Sequence, residues 1–253
     1  MAADQRHETL DTILGGALSL VQPLAGYRFS IDSILLGHFA RPRVGARILD
    51  LGAGCGVVSI MLGKLYRPRE IVALEVQPEL AALASRNGAL NGLPHMTTVC
   101  ADLRDSTAGR VTAASFNYVV ANPPFRAHGR GRESPNLSRR IARGDGGAEL
   151  CDFVMAASRY AAHRAGVALV FTASRTAELI TVLKSQSLEP KRIRFVHPRA
   201  GMPASTVLVE ARKRGGIEVA IDPPLILATE RGEYSEEARR LLLMQPADGK
   251  PHA

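Results

Sequence analysis

Four places in this 253-residue chain combine residue types and spacings suited to chemistry. One is Ala121-Asn122-Pro123-Pro124-Phe125, which closes the apolar, β-branched run Phe116 to Val120. Two successive prolines donate no ladder hydrogen bonds and hold the backbone extended, so a strand must stop there. The Asn122 side chain and the carbonyls beside it are then left to face a ligand, with an aromatic ring next in line. An amide oxygen, a free carbonyl and a ring in one stiff turn suit a planar base carrying an exocyclic NH2: the oxygens accept its hydrogens and the ring stacks on its face. Asn122, Pro123, Pro124 and Phe125 are the candidate catalytic residues. Asn-Pro also opens ordinary loops, so the motif needs support from elsewhere in the chain.

That support comes from a glycine loop and two acidic strand ends. Ala46 to Leu51 reads as a short apolar strand and runs into Gly52-Ala53-Gly54-Cys55-Gly56, after which Val57 to Tyr66 is helical. Strand, glycine loop and helix are the nucleotide-binding order. The spacing is one residue short of the dinucleotide fingerprint, and Asp50 just before the loop would repel a pyrophosphate but attract a cationic sulfonium with its ammonium group. Asp50, Gly52, Gly54 and Gly56 therefore point to S-adenosylmethionine. The next strand ends at Glu75, with Val76 beside it, 19 residues beyond Gly56. There a carboxylate can take both hydroxyls of a ribose. A third strand, Met96 to Ala101, ends at Asp102-Leu103, where an acid can accept from an adenine amine and an apolar side chain can cover the ring. Asn122 borders both cofactor and target.

The elements that must hold these groups alternate. Strands are expected at 46–51, 70–76, 96–101, 116–120 and 166–172, with helices at 57–66, 78–90, 149–165 and 173–187 between or after them. That alternation makes a mostly parallel sheet with its ligands at the carboxyl ends of the strands. Arg192 to Val196 and Thr206 to Ala211 read as closing strands; the loop between them is too short for a crossover helix, so they run antiparallel. Ahead of the sheet, Ile31 to Phe39 is periodic behind an N-cap at Ser30. Leu225-Ile226-Leu227 and the residues after Tyr234 read as a short strand and a final helix. Residues 1–45 form an N-terminal segment and helix over the cofactor site, 46–214 the main domain, and 215–253 a C-terminal appendage.

With 46% hydrophobic residues the chain can bury a full core, and it has no run of about 18 apolar residues to span a membrane. Its N-terminal residues are too polar for a signal peptide, so a soluble, cytoplasmic protein is expected. Cys55, Cys100 and Cys151 have no paired spacing and the seven histidines are scattered, which supports neither a disulfide framework nor a metal site. A formal net charge of +8 favours a polyanionic partner. Much of that charge sits in residues 126–147, where Arg126, Arg130, Arg132, Arg139, Arg140 and Arg143 face only two acids. Such a segment reads as a flexible loop, and beside Asn122 its planar guanidinium forks could grip a phosphate backbone. A second basic group, Lys191 to Arg194 with Arg199 and Arg212 to Arg214, either extends that track or solubilises edge strands.

Taken together, Gly26-Tyr27-Arg28-Phe29-Ser30-Ile31-Asp32-Ser33, Leu49 to Gly56, Asn122 to Phe125 and the tail segment Tyr234 to Glu237 make the chain resemble the tRNA(Val) (adenine-N6)-methyltransferases. The resemblance implies an α/β, Rossmann-like class I methyltransferase fold. That fold has a mostly parallel seven-stranded sheet with an antiparallel last strand and helices on both faces. It also implies S-adenosylmethionine as cofactor, an RNA substrate of tRNA type, and Tyr27, Ser30 and Asp32 as a floor beneath the methionine end of the cofactor. Many relatives have Tyr where this chain has Phe125, and the Asn-Pro-Pro-Phe form also occurs in guanine-N2 methyltransferases of ribosomal RNA. Asn-Pro-Pro enzymes that methylate glutamine amides, and a non-catalytic RNA-binding scaffold, are the competing functions.

Overall fold

Alternation along the strands decides which side of the sheet each helix covers. The computed structural model describes residues 8–25, 28–105, 111–124 and 148–243. Its main sheet is built from β3 (Arg47–Leu51), β4 (Glu70–Glu75), β5 (Met96–Cys100), β6 (Phe116–Ala121), β7 (Ala161–Thr172), β8 (Leu188–Arg199) and β9 (Thr206–Lys213). Leu49, Leu51, Val119, Val167 and Leu169 point to one face and are covered by α4 (Leu150–Tyr160) and α5 (Thr176–Ser185). Ile48, Val120, Ala168 and Val170 point to the other, under α1 (Ile31–Phe39) and α2 (Val57–Tyr66). Central strands that are apolar on both faces are the mark of a parallel sheet clad on two sides. Helix α3 (Pro78–Leu90) joins α2 in a further cluster through Leu80 and Leu83.

The strand order is β5-β4-β3-β6-β7-β9-β8, with β9 antiparallel to both neighbours and β3 to β7 mutually parallel. The order reverses direction between β3 and β6, the crevice where ligands bind in such folds. Leu51 of β3 pairs with Ala121 of β6, so the residues that follow, Gly52 and Asn122, leave the sheet side by side.

The sheet exceeds the seven expected strands. Two short pieces, β10 (Ala220–Ile221) and β11 (Leu225–Ala228), both pair in parallel with β8 and bring the total to nine. The helix expected at 149–165 ends at Tyr160, and β7 begins at once. Arg164 sits at φ 59°, which no α-helix accommodates, and the pairing with β6 shifts register there. Likewise 173–187 divides into a single 3₁₀ turn, Ala173–Arg175, followed by α5.

The N-terminal segment is a hairpin, β1 (Glu8–Ile13) and β2 (Leu18–Pro23), turned at Gly15 and Gly16, both at positive φ. Two asparagines, Asn87 in α3 and Asn91 at its C-cap, seat it. The fully buried Asn87 accepts from Val21 N–H at 2.8 Å and donates to the carbonyls of Val21 and Cys55, while Asn91 makes the same paired contacts to Ser19. Amide side chains thus stand in for a neighbouring strand along the free edge of β2. At the other end of the chain, Ser235 accepts from Ala238 N–H and caps α6 (Glu236–Leu243), whose Leu241 carbonyl lies 2.7 Å from His38 Nε2 of α1.

Candidate active site

A cleft of about 490 Å³ lies along the carboxyl ends of β3, β4, β5 and β6. Gly52 and Gly54 line it after β3, Glu75 and Val76 at the end of β4, Asp102 and Leu103 after β5, and Asn122, Pro123 and Pro124 after β6. Ser30 and Asp32 contribute from the entry to α1. The four strand tips that the chain's motifs mark are thereby brought to one surface. Asp50 and Gly56 stand behind it. Tyr27, Phe125 and the arginines 126, 130, 132, 139, 140 and 143 lie outside the described residues.

The glycine loop is held by the acids around it. Glu75, 5% exposed, accepts from Gly54 N–H and from Gln77 N–H, each at 2.9 Å. Burial pushes its carboxyl above the ordinary value while these backbone donors pull the other way. Asp50 is turned toward α2, where its Oδ2 accepts from the Ser59 hydroxyl at 2.7 Å and Ser59 N–H at 3.1 Å. Ser59 is the third residue of that helix, so the carboxylate satisfies a donor that has no partner within it. Complete burial drives the Asp50 carboxyl up to about 6 against those bonds. Its side chain faces a small space of about 10 Å³ that it shares with Ser33, Gly52 and Asn122. Gly52 and Gly56 are glycines of necessity. Both have positive φ, and a Cβ on Gly52 would lie 2.9 Å from the Phe153 ring, whereas on Gly56 it would meet Ala84 at 3.2 Å.

At the far end, Asp102 is engaged by Arg104 through both side-chain oxygens and its backbone N–H, which holds the carboxyl below the usual range. Near Asn122, Asp32 accepts from the Ser30 hydroxyl at 3.1 Å and from Thr206 Oγ1 at 3.2 Å, so it ties α1 to β9. Ser30 occupies the N-cap position, but its hydroxyl serves Asp32 instead of the helix. Asn122 Nδ2 donates to Ser33 Oγ at 3.1 Å.

Several wall residues carried no signal in the sequence: Gln77, Leu80, Arg104 and Phe153; Arg28 belongs to the motif Gly26 to Ser33 but has no role of its own there. Phe153 rides on α4, whose capping box of Glu149 and Asp152 is readable from residue types, but only the packing of that helix over β3 aims its ring at Gly52. Arg28 is fixed to the hairpin through Asp11, Thr9 and the Pro23 carbonyl, and buried Gln22 bridges Asp11 to Phe29 N–H. The second basic group is largely spent on structure. Arg192 is buried against Glu210 and the Phe39 ring, Arg194 pairs with Glu237, and Lys213 donates to the carbonyls of Ser158 and Ala161. Among the described residues, no helix is long and apolar enough to cross a membrane.

Chemically, the cleft offers carboxylates at three stations and an amide at a fourth, with apolar walls between them. An elongated, partly cationic ligand with a diol and a planar ring matches that pattern.

The chain is similar to known proteins in sequence and in fold. Residues 31–144 match the family model of the methyltransferase small domain. The tRNA1(Val) (adenine(37)-N6)-methyltransferase of Aeromonas hydrophila subsp. hydrophila is 28% identical over 207 residues, which take in 81% of this chain and 84% of that one. A protein of the same name from Parabacteroides distasonis is 27% identical over 209 residues, with 81% and 85% covered. Among solved structures, one described as a predicted O-methyltransferase from Agrobacterium tumefaciens has a TM-score of 0.66 at 23% identity, over 83% of this chain and 94% of that one. The TYW2 protein of M. jannaschii in complex with AdoMet has a TM-score of 0.57 at 16% identity, over 84% and 88%. These likenesses place the fold among the class I methyltransferases.

Proposed function

We infer that the chain belongs to the methyltransferase small domain family and is an S-adenosylmethionine-dependent methyltransferase, and we propose that it methylates the exocyclic amine of an RNA base, adenine N6 in a tRNA anticodon loop. The observation that carries this reading is the position of Asn122 at the β3/β6 crevice, lining the same cleft as Glu75, Asp102 and the glycine loop. Curated relatives named for adenine-N6 methylation of tRNA, alignable over four-fifths of the chain, support the choice of base. We assign residues 46–214 as the catalytic domain, 1–45 as the segment covering the cofactor, and 215–253 as the appendage.

When bound, the cofactor would supply an electrophilic methyl group on a sulfonium, whose methyl–sulfur bond would break as the nitrogen–carbon bond forms, with neutral S-adenosylhomocysteine as the leaving group. In this assignment Glu75 takes the ribose hydroxyls, Asp102 and Leu103 the adenine, and Asp32 and Ser30 the methionine end, with Asp50 supplying negative charge behind the glycine loop. An exocyclic amine is a poor nucleophile while its lone pair is delocalised into the ring. Asn122 Oδ1 and the Pro123 carbonyl accept its two hydrogens and favour a pyramidal nitrogen whose lone pair faces the methyl, while the Phe125 ring fixes the base. The proton leaves the nitrogen for water after the methyl has arrived, so no side chain need act as general base beforehand. An unpaired anticodon base avoids the few kcal/mol needed to extract one from a duplex. The arginines of residues 126–147 are assigned to the phosphate backbone.

The test is to incubate the chain with S-adenosylmethionine and unmodified tRNA and to identify nucleosides by mass spectrometry. N6-methyladenosine should form with the wild type and vanish with Asn122→Ala, whose calorimetric affinity for the cofactor should stay within about threefold. Methyl on guanine N2, or on polypeptide instead of RNA, refutes the substrate assignment, and unchanged turnover in Asn122→Ala refutes the mechanism.

A further inference from the structure

We infer that Ser33 is a positioning residue for the methyl-transfer step, one that sets which end of the Asn122 amide faces the target amine; this rests on the reading of Asn122 given above. Ser33 is 3% exposed on a stretch of α1 whose Ile34, Leu35 and Leu36 are buried too, and it borders the small space that Asp50, Gly52 and Asn122 share. A hydroxyl in such company needs a hydrogen-bond partner. Its oxygen lies 3.1 Å from Asn122 Nδ2.

A side-chain amide is planar, with its donor NH2 and its acceptor oxygen at different edges of that plane. Only the acceptor edge serves an incoming NH2; the other places donor against donor. Asn122 is the first residue beyond β6, and Pro123 after it donates no backbone hydrogen bond, so the strand ladder does not hold the side chain. The bond to Ser33 does. A serine hydroxyl inside a helix can give its own proton to a carbonyl one turn back, which leaves the oxygen free to accept. With Nδ2 drawn to that oxygen, Oδ1 is the end of the amide left to serve the cleft that Asn122 lines. The water-sized space on the same side, shared by Ser33, Asp50 and Asn122, gives the amide room to rotate once the hydroxyl is removed.

Two readouts test the inference. Single-turnover methylation by Ser33→Ala should slow by about 10- to 100-fold, the scale of a misplaced reactive group, with affinities for cofactor and tRNA within about twofold of wild type. Ser33→Thr, which keeps the oxygen, should recover most of the rate. Independently of any substrate, the Asn122 side-chain NH2 signals in ¹⁵N spectra, identified by their loss in Asn122→Ala, should report a rigid amide in wild type and Ser33→Thr. In Ser33→Ala they should report a rotating one, with an order parameter below about 0.6. An amide that stays rigid in Ser33→Ala overturns the inference even if tRNA proves not to be the substrate. So does an unchanged rate, or a rate loss matched by lost cofactor affinity. A wild type that leaves RNA unmethylated instead refutes the substrate reading alone.

Discussion

Replacing Asp50 with asparagine should alter how stability depends on pH more than stability itself. Buried behind the glycine loop, the Asp50 carboxyl is raised from an ordinary 3.8 to about 6, chiefly by desolvation. That difference corresponds to about 3 kcal/mol between the protonated and ionised forms. The folded state holds this proton more tightly than the unfolded chain, so the contribution is fully present below pH 3.8 and lost as pH rises through about 6. Asparagine can still accept from Ser59 but brings two amide hydrogens into a buried site, a pH-independent cost of about 1 to 3 kcal/mol. The variant should therefore be less stable than wild type near pH 4 and equal it or better near pH 7.5, the difference moving by about 3 kcal/mol across that range. Urea denaturation followed by circular dichroism at a series of pH values measures it, and subtracting the two curves removes other titrating groups except Glu75, which feels Asp50 directly. Parallel curves would show that Asp50 holds its proton no more tightly in the folded chain than in the unfolded one and refute the desolvation argument. Cofactor binding supplies a check of the proposed role. A cationic ligand favours the ionised form, so wild-type affinity should strengthen as pH rises through about 6, and the Asp50→Asn variant should lack that dependence.

Two further substitutions probe the scaffold. Gly52→Ala places a Cβ 2.9 Å from the Phe153 ring at φ +67°. The left-handed backbone alone costs about 1 kcal/mol or more, and displacement of a wall residue should weaken cofactor affinity by about tenfold or more in calorimetry. Asn87→Ala removes the contacts to Val21 and Cys55, which should cost about 3 kcal/mol in thermal or urea denaturation. Hydrogen exchange over residues 8–23 should quicken selectively, and uniform protection across the hairpin would show that the asparagine does not seat it.

The glycine loop, Glu75, Asp102 and Asn122 were legible because each stands next to a run whose period declares a strand, and alternation of strand and helix sends parallel strand ends to one edge. Residues with no such neighbour were not legible. Gly15-Gly16 between two alternating runs is a hairpin signal that the polar N-terminal segment masks, and the hairpin's seat on Asn87 and Asn91 links residues about 70 apart in sequence. Ser235 and Glu237 read as a tail motif of a family, yet their hydrogen bonds cap and tie down α6. The second basic group reads either as a continued basic track or as a solubiliser of edge strands because residue type reports charge and not partner; Glu210, Asp222 and Glu237 reach Arg192 and Arg194 only in the folded sheet.

By itself, then, the order of residues determined the alternating α/β architecture, the strand ends that come to line the cleft and the class of ligand their charges favour, since these follow from local periodicity and from residue types adjacent in the chain. Tertiary structure alone decided which way those groups face. It turned Asp50 onto Ser59 and away from the cleft, put Phe153 over Gly52, and set Ser33 against Asn122, because orientation is fixed by what packs against a side chain from distant parts of the sequence.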